Sequence, residues 1–295
     1  MIDKIKPAYW MLYEKYCEII STIAPVYASK YFYKKASGKP INLSNPQTFN
    51  EKLMWLKLNT YYNNPLVTQC ADKYRVREYV EKCGCPEILN DLIGVWDSVD
   101  EIGWDSLPDK FAIKCNHGCK YNIICDDKSK LDINDTKDKL RKWMKEDYWR
   151  KRAEVNYKFI PKKIICEKYL DTEAGFLPID YKIYCFHGEP KLVLVCSNRT
   201  SKLKLDFYDL DWNLLDYGAE PGDTTIQKPE SFPLMIEYSR KLAGDFPFVR
   251  IDFYEYQGKP IFGEMTFSPA ACVAKYYNET GQVELGKMLD LSLAK

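Results

Sequence analysis

Between Phe248 and Ala271 the chain reads FVRIDFYEYQGKPIFGEMTFSPAA, two apolar runs around a polar turn, each carrying one carboxylate among hydrophobic neighbours. A loop as short as Gln257-Gly258-Lys259-Pro260 makes the flanking runs, Val249 to Tyr254 and Ile261 to Phe267, pair antiparallel. Residues near equal distance from the turn then face one another, and Asp252 and Glu264 are such near partners. Alternation sets Arg250, Asp252 and Tyr254 on one face of the first strand, and Glu264 and Thr266 on one face of the second. Two carboxylates that close repel unless a cation lies between them, and hard oxygen donors in that arrangement suit Mg²⁺. Arg250 adds a planar donor fork of the kind that grips phosphate. The same spacing also fits an ordinary half-exposed hairpin with solvated acids, and strand alternation alone does not choose between the two.

The remainder of the chain has to supply whatever this ribbon works against. At 295 residues it can bury a substantial core and form one large domain or two lobes. Lys and Arg number 43 against 42 for Asp and Glu, so no global field draws it to nucleic acid or to an anionic membrane. Eleven cysteines without a repeating frame, and no signal segment, point to a reducing compartment, with the cytoplasm as the default. No apolar run approaches the roughly 20 residues of a membrane span. Residues 1–36 read as a helical entry segment broken at Pro25, with enough Tyr and Lys either to pack on its own chain or to lie on a partner or membrane surface.

Thr48-Phe49-Asn50-Glu51 has the form of a capping box opening a helix to about Leu58. A second helix is expected from Val67 to Lys82, stopped by Gly84 and Pro86. Short strands follow: Ile88 to Val95, the Ser98 to Asp105 stretch, and Phe111 to Cys115. The polar loop Asn116-His117-Gly118-Cys119-Lys120-Tyr121-Asn122 then returns into Ile123-Ile124-Cys125. Asp132 to Arg152 reads as one long basic helix, and Lys163 to Leu170 as an apolar strand interrupted by Glu167. Two hairpin-like units turn at His187-Gly188-Glu189-Pro190 and near Asp211-Trp212-Asn213. Helices are expected at Pro233 to Ala243 and Glu279 to Leu293. The pattern is α+β, built from hairpins instead of βαβ units.

Several of these features stand in a telling order. Asp72-Lys73 opens a helix that exits through Cys83-Gly84-Cys85-Pro86. Ile113-Lys114 precedes the Asn116 to Asn122 loop. Ile165-Cys166-Glu167-Lys168-Tyr169-Leu170 comes next, and the Arg250, Asp252, Glu264 group comes last. Together with NPQTFNEKLMWLK upstream, this order resembles the ATP-grasp superfamily, in particular its TupA-like branch associated with teichuronopeptide and capsular polysaccharide biosynthesis.

The resemblance implies two α+β lobes whose antiparallel sheets enclose a nucleotide cleft, preceded by a helical N-terminal segment. The expected divisions are 1–66 for that segment, 67–170 for the small lobe and 171–295 for the large one. It implies ATP and Mg²⁺ as cofactors. Lys73, Lys114, Asn116, Gly118, Glu167, Lys168, Tyr169, Leu170 and Arg250 are then expected to hold the nucleotide, with Asp252, Glu264 and Thr266 on the metal. Arg250, Lys114 and His117 are the expected catalytic groups, and Arg199 and Lys182, with Asp180 beside it, the expected substrate contacts. The family commonly carries Asn two residues after the last Glu; here Thr266 stands there, and a hydroxyl can ligate Mg²⁺ or hold its water.

The implied chemistry is a carboxylate-amine ligation through an acyl phosphate. Its acceptor would be a carboxylate-bearing sugar or glycan precursor such as a uronic acid, its donor an amino acid or amine. Phosphoryl transfer from ATP asks the protein for cations and Mg²⁺ to hold the triphosphate, with little covalent chemistry. Two other signals compete. Cys115, His117, Cys119 and Cys125 cluster as zinc ligands do, without the paired C-x-x-C frame. Asp209-Leu210-Asp211 resembles the D-x-D of metal-dependent glycosyltransferases, and equally a turn with Asp209 at its edge. A noncatalytic relative that binds a glycan is a further alternative.

Overall fold

Proline and asparagine punctuation settles the N-terminal half. The computed structural model describes residues 2–171, 178–198 and 202–294. Helix α1 (Ile2–Ile23) breaks before Pro25 and returns as α2 (Pro25–Ser37), which stops at Gly38 in the left-handed region, φ 75°. Helix α3 (Phe49–Leu58) starts at the expected capping box: Glu51 N–H donates to Thr48 Oγ1, and Thr48 N–H donates to the Glu51 carboxylate. Asn64 caps α4 (Pro65–Ala71) by accepting from the N–H groups of Leu66 and Val67.

The single helix expected over Val67 to Lys82 is in fact two, because the backbone leaves the helix at Asp72, ψ 113°, and restarts as α5 (Val76–Lys82). Asp72 Oδ1 accepts from the N–H groups of Tyr74 and Arg75, local bonds that compete with helix continuation. Lys73 therefore sits at a break, where its side chain is free to reach away from the helix axis. Other boundaries also shift. Ile88 ends a 3-10 turn, Ser98 to Asp105 folds into two more such turns instead of a strand, and the basic helix α6 runs only from Ile133–Lys145. Glu146 leaves it in an extended conformation, and Tyr148–Lys151 form a separate 3-10 turn.

Two antiparallel sheets carry the rest. The smaller has the order β1 (Leu92–Trp96), β4 (Ile164–Lys168), β2 (Phe111–Cys115), β3 (Asn122–Cys125). The larger has the order β10 (Lys259–Thr266), β9 (Phe248–Tyr256), β5 (Asp180–Phe186), β6 (Glu189–Ser197), β7 (Lys204–Asp209), β8 (Leu214–Leu215). Helix α7 (Phe232–Ala243) packs on β5, β6 and β9, and α8 (Glu279–Met288) packs on α3. The last helix ends before Leu289, short of the expected Leu293, and Leu291–Leu293 form a 3-10 turn.

Each sheet has its own core. Phe111, Ile113, Leu140, Ile164 and Cys166 centre the smaller one. Phe49, Leu53, Tyr184, Phe207, Phe248 and Ile251 centre the larger, which also takes in Val67, Cys70, Val76 and Val80 from α4 and α5. Tyr148 packs against both. The architecture is the expected α+β one, two antiparallel-sheet lobes behind an N-terminal helical segment.

Candidate active site

The floor of the site is the β9–β10 ribbon. From the turn outward Tyr256 faces Lys259, Tyr254 faces Ile261 and Phe253 faces Phe262, after which the register slips by one. Without the slip Asp252 would face Gly263. With it Asp252 faces Glu264, and Arg250 faces Thr266. Gly263 is the extra residue of this bulge, and a Cβ there would fall 3.0 Å from the Asp252 carbonyl oxygen. The bulge is what brings the two acids to one face.

On the other side β9 pairs with β5, which sets Lys182 opposite Asp252. The side chains then interlock. Arg250 grips Asp252 with two bonds of 2.7 Å, from Nε to Oδ1 and from Nη2 to Oδ2. The same Nη2 lies 3.1 Å from Thr266 Oγ1 and 3.5 Å from Glu264 Oε1. Lys182 Nζ reaches Asp252 Oδ2 and Asp180 Oδ2, each at 2.5 Å. Lys73, arriving from the break between α4 and α5, pairs with Glu264 at 3.2 Å.

Burial makes these charges depend on one another. Burial opposes ionisation of Glu264, but the charges of Lys73, Lys182 and Arg250 overrule it and hold the carboxyl well below its usual range. Burial likewise disfavours the charged forms of Lys73 and Lys182; Glu264 in the first case and Asp252 in the second reverse that, and both ammoniums are pushed up. Burial raises the Asp252 carboxyl against the pull of Arg250 and Lys182.

The facing wall comes from the smaller sheet. Lys114 on β2 pairs with Glu167 on β4 at 2.7 Å, adjacent strands whose register places Ala112 opposite Glu167. Asn90 Nδ2 donates to the Lys168 carbonyl, and Lys110 stands 5.7 Å from the Tyr169 ring. Between wall and floor lies a cavity of about 360 Å³. Lys73, Lys114, Glu167, Lys168, Tyr169 and Leu170 line it from one side, and Asp180, Asp252 and Glu264 from the other.

Most of the expected site residues therefore converge, and several do not. Arg250, Thr266 and Lys182 stand behind the lining as partners of the acids. Lys182 was expected to hold substrate, but its ammonium is already shared between Asp180 and Asp252. Asn116 is fully buried and its amide is committed: Nδ2 donates to Asp72 Oδ1 and the Pro161 carbonyl, and Oδ1 accepts from Lys163 N–H. His117 is turned away from the cavity, Nε2–H donating to the Trp143 carbonyl, and burial lowers its pKa to about 4, so it is neutral at pH 7. Gly118 packs under Tyr148 and Tyr121, where a Cβ would meet ring carbons at 2.7 and 2.8 Å. Arg199 lies outside the described residues. Of the two competing motifs, Cys115 and Cys125 are buried in the smaller core, and Asp209 spends its carboxylate on the turn, accepting from the N–H groups of Asp211 and Asn213 and from Asn213 Nδ2.

Two lining groups carry more weight than the sequence pattern assigned them. Lys120, left-handed at φ 63°, lines the cavity with no ion pair or hydrogen bond among the described residues. Asp180 was only a weak candidate, yet its Oδ1 is buried without a hydrogen-bond partner among the described residues. Only the β5–β9 pairing, which no local pattern announces, brings it beside Asp252.

The donor set fits magnesium and a triphosphate. Asp180, Asp252 and Glu264 offer hard oxygens, one of them unpartnered among the described residues, while Lys73, Lys114 and Lys120 offer ammoniums across the cavity. No three His, Cys, Asp or Glu side chains among the described residues converge closely enough to hold a metal by themselves. Phosphate and water oxygens would complete the sphere, the usual arrangement for Mg²⁺.

Among solved structures, D-alanine–D-alanine ligase from Bacillus anthracis is 12% identical, over 89% of this chain and 73% of that one, with a TM-score of 0.42. Its complex with ATP gives 13%, 88%, 69% and 0.43. L-amino acid ligase from Bacillus licheniformis is 12% identical over 76% of this chain and 49% of its own length, with a TM-score of 0.46. No curated protein matches. The family described as TupA-like ATPgrasp matches residues 51–290, from the capping box of α3 past the end of α8, and the chain belongs to that family.

Proposed function

We propose that the protein is a Mg²⁺- and ATP-dependent carboxylate-amine ligase of cell-surface polysaccharide biosynthesis, working in the cytoplasm. The observation that carries this reading is the meeting, across one cavity, of Lys73 and Lys114 with the Asp252/Glu264 pair. In the proposed reaction a carboxylate oxygen of the acceptor attacks the γ-phosphorus of ATP, the bond to the bridging oxygen breaks, and ADP departs. The amine nitrogen then attacks the acyl carbon, phosphate leaves, and the amine proton passes to solvent.

The chain's own residues bind and orient. Lys73, Lys114 and Lys120 would neutralise phosphate oxygens, and the end of β4 with the two residues after it, Glu167 to Leu170, would form the wall against the base. Asp180, Asp252 and Glu264, with Thr266 in support, would hold magnesium, which supplies charge neutralisation on the transferring phosphoryl group. Arg250 and Lys182 fix the angle of Asp252. His117, neutral and turned away, leaves no acid-base role for itself, in keeping with a transfer that needs position and charge more than proton movement. The acceptor is a uronic acid or similar glycan carboxylate, and the donor an amino acid or amine. The proposed division of labour sets nucleotide binding in residues 67–170 and the metal acids in 171–295.

Thermal-shift measurements with Mg-ATP, followed by ADP release across a panel of uronic acids and amino acids, test this. Stabilisation by Mg-ATP that is lost in Lys114→Ala, with ADP release only when both a carboxylate and an amine are present, is the expected result. Stabilisation by a sugar nucleotide instead, abolished by Asp209→Ala, would replace the reading with glycosyl transfer; no response to any nucleotide would leave a binding module.

A further inference from the structure

The net charge of +1 conceals a local segregation. Residues 2–37 carry Lys4, Lys6, Lys15, Lys30, Lys34 and Lys35 against Asp3, Glu14 and Glu18. On α1, Leu12, Tyr16, Ile19 and Ile23 recur at helical spacing along one stripe, and they are 65%, 40%, 53% and 76% exposed. The adjoining face of the same helix is the buried one: Cys17 and Ile20 pack with Ala28, Phe32 and Ala153. The exposed stripe is thus a second apolar face, left over after the hairpin has docked on its own chain.

It continues across the hairpin. Tyr16 meets Tyr31 of α2 edge to face with centroids 5.7 Å apart, and Val26 and Tyr27 extend the surface beyond them. Tyr9 and Trp10, both more than half exposed, stand toward its head. Among the described residues Lys15, Lys30, Lys34 and Lys35 are in no ion pair, whereas many lysines elsewhere on the surface are matched to an acid. Lys35 lies over the Tyr13 ring at 3.5 Å instead. Glu18 faces another way, into a groove shared with Arg141, Lys142 and Arg150.

Apolar side chains, Trp and Tyr, and unmatched lysines on one helical surface are the composition of an element that lies in the plane of an anionic bilayer. No described helix is long and apolar enough to cross a membrane. A second copy of the chain fits less well, because a two-fold contact would set these lysines against themselves while Glu18 faces the groove with Arg141, Lys142 and Arg150. We propose that the α1–α2 hairpin docks the enzyme on the surface of anionic phospholipid, with the stripe from Leu12 to Ile23 immersed at headgroup depth and Lys30 and Lys34 at the phosphates. The attraction is local, so the near-zero total charge does not oppose it.

Flotation of the full chain with vesicles of phosphatidylcholine, with and without phosphatidylglycerol, tests this, and sedimentation velocity without lipid accompanies it. Binding only to the phosphatidylglycerol vesicles, weakened by added salt, is expected. Lys30→Gln with Lys34→Gln should lower the partition coefficient about 25-fold, at about fivefold per lysine. Leu12→Ser with Ile19→Ser should abolish it while the thermal melt of the protein is unchanged. The proposal is overturned by flotation with neither vesicle, by equal flotation with both, or by a concentration-dependent dimer that the Leu12→Ser, Ile19→Ser variant dissociates.

Discussion

Arg250 makes four contacts with a single guanidinium, and their planarity explains why lysine cannot stand in for it. The fork matches both oxygens of Asp252 while one nitrogen also reaches Thr266 and Glu264. Arg250→Met would leave Asp252 with Lys182 alone in a buried setting, and a loss of about 3 kcal/mol in urea unfolding is expected. Arg250→Lys keeps the charge but not the paired bonds, and should lose about 1–2 kcal/mol together with most Mg-ATP stabilisation. His117 gives a pH dependence of known sign. Its folded pKa, about 4, lies below the ordinary 6.5 because burial disfavours the cation. Between those values the unfolded chain binds the proton and the folded one does not, so stability is complete above pH 6.5 and falls as pH drops toward 4, by up to about 3 kcal/mol. Denaturant midpoints compared at pH 7 and pH 5 should show this fall, and His117→Gln, which keeps a donor for the Trp143 carbonyl, should flatten it.

At the level of elements, α3 and α8 hold the larger lobe's end together through close backbone approach. A Cβ on Gly286 would fall 2.4 Å from the Gln47 carbonyl oxygen and 3.2 Å from Phe49 N, so Gly286→Ala should cost about 1–3 kcal/mol by forcing α8 off α3. Thr48→Ala, which removes one half of the capping box, should cost about 1 kcal/mol; both are read from urea midpoints. These two helices differ in how they can be read. Thr48 to Glu51 is a local pattern and was legible, as were the Pro25 break and the turn at Gln257-Gly258 that pairs β9 with β10. The break at Asp72 was not, because its carboxylate is steadied by Asn116 Nδ2 at 2.8 Å, a partner far along the chain. That same bond removes Asn116 from the cavity, where its place in a polar loop had put it. The surroundings of Lys182 were hidden for a like reason: alternation locates it on β5, but only long-range pairing with β9 discloses that Asp252 shares its ammonium.

Across the whole molecule the cavity is the seam between two separate cores, and a ligand there touches both. Mg-ATP at about 100 times its dissociation constant should add about 2.7 kcal/mol to unfolding. Hydrogen exchange should slow in β2 to β4 and in β9 to β10 together; protection confined to one sheet would count against a ligand held by both. The paired state of the lysines has one more consequence. Lys73 rests on Glu264 and Lys114 on Glu167. A phosphate that draws Lys73 toward itself takes from Glu264 its nearer cation and leaves Arg250 at 3.5 Å, and a divalent ion would be the natural replacement. On the proposed function nucleotide and magnesium would thereby be mutual promoters, each raising the other's affinity by one shared factor. Calorimetric titration of ATP with and without magnesium measures that factor, and Glu264→Gln, which has no charge to be stranded, should shrink it toward one.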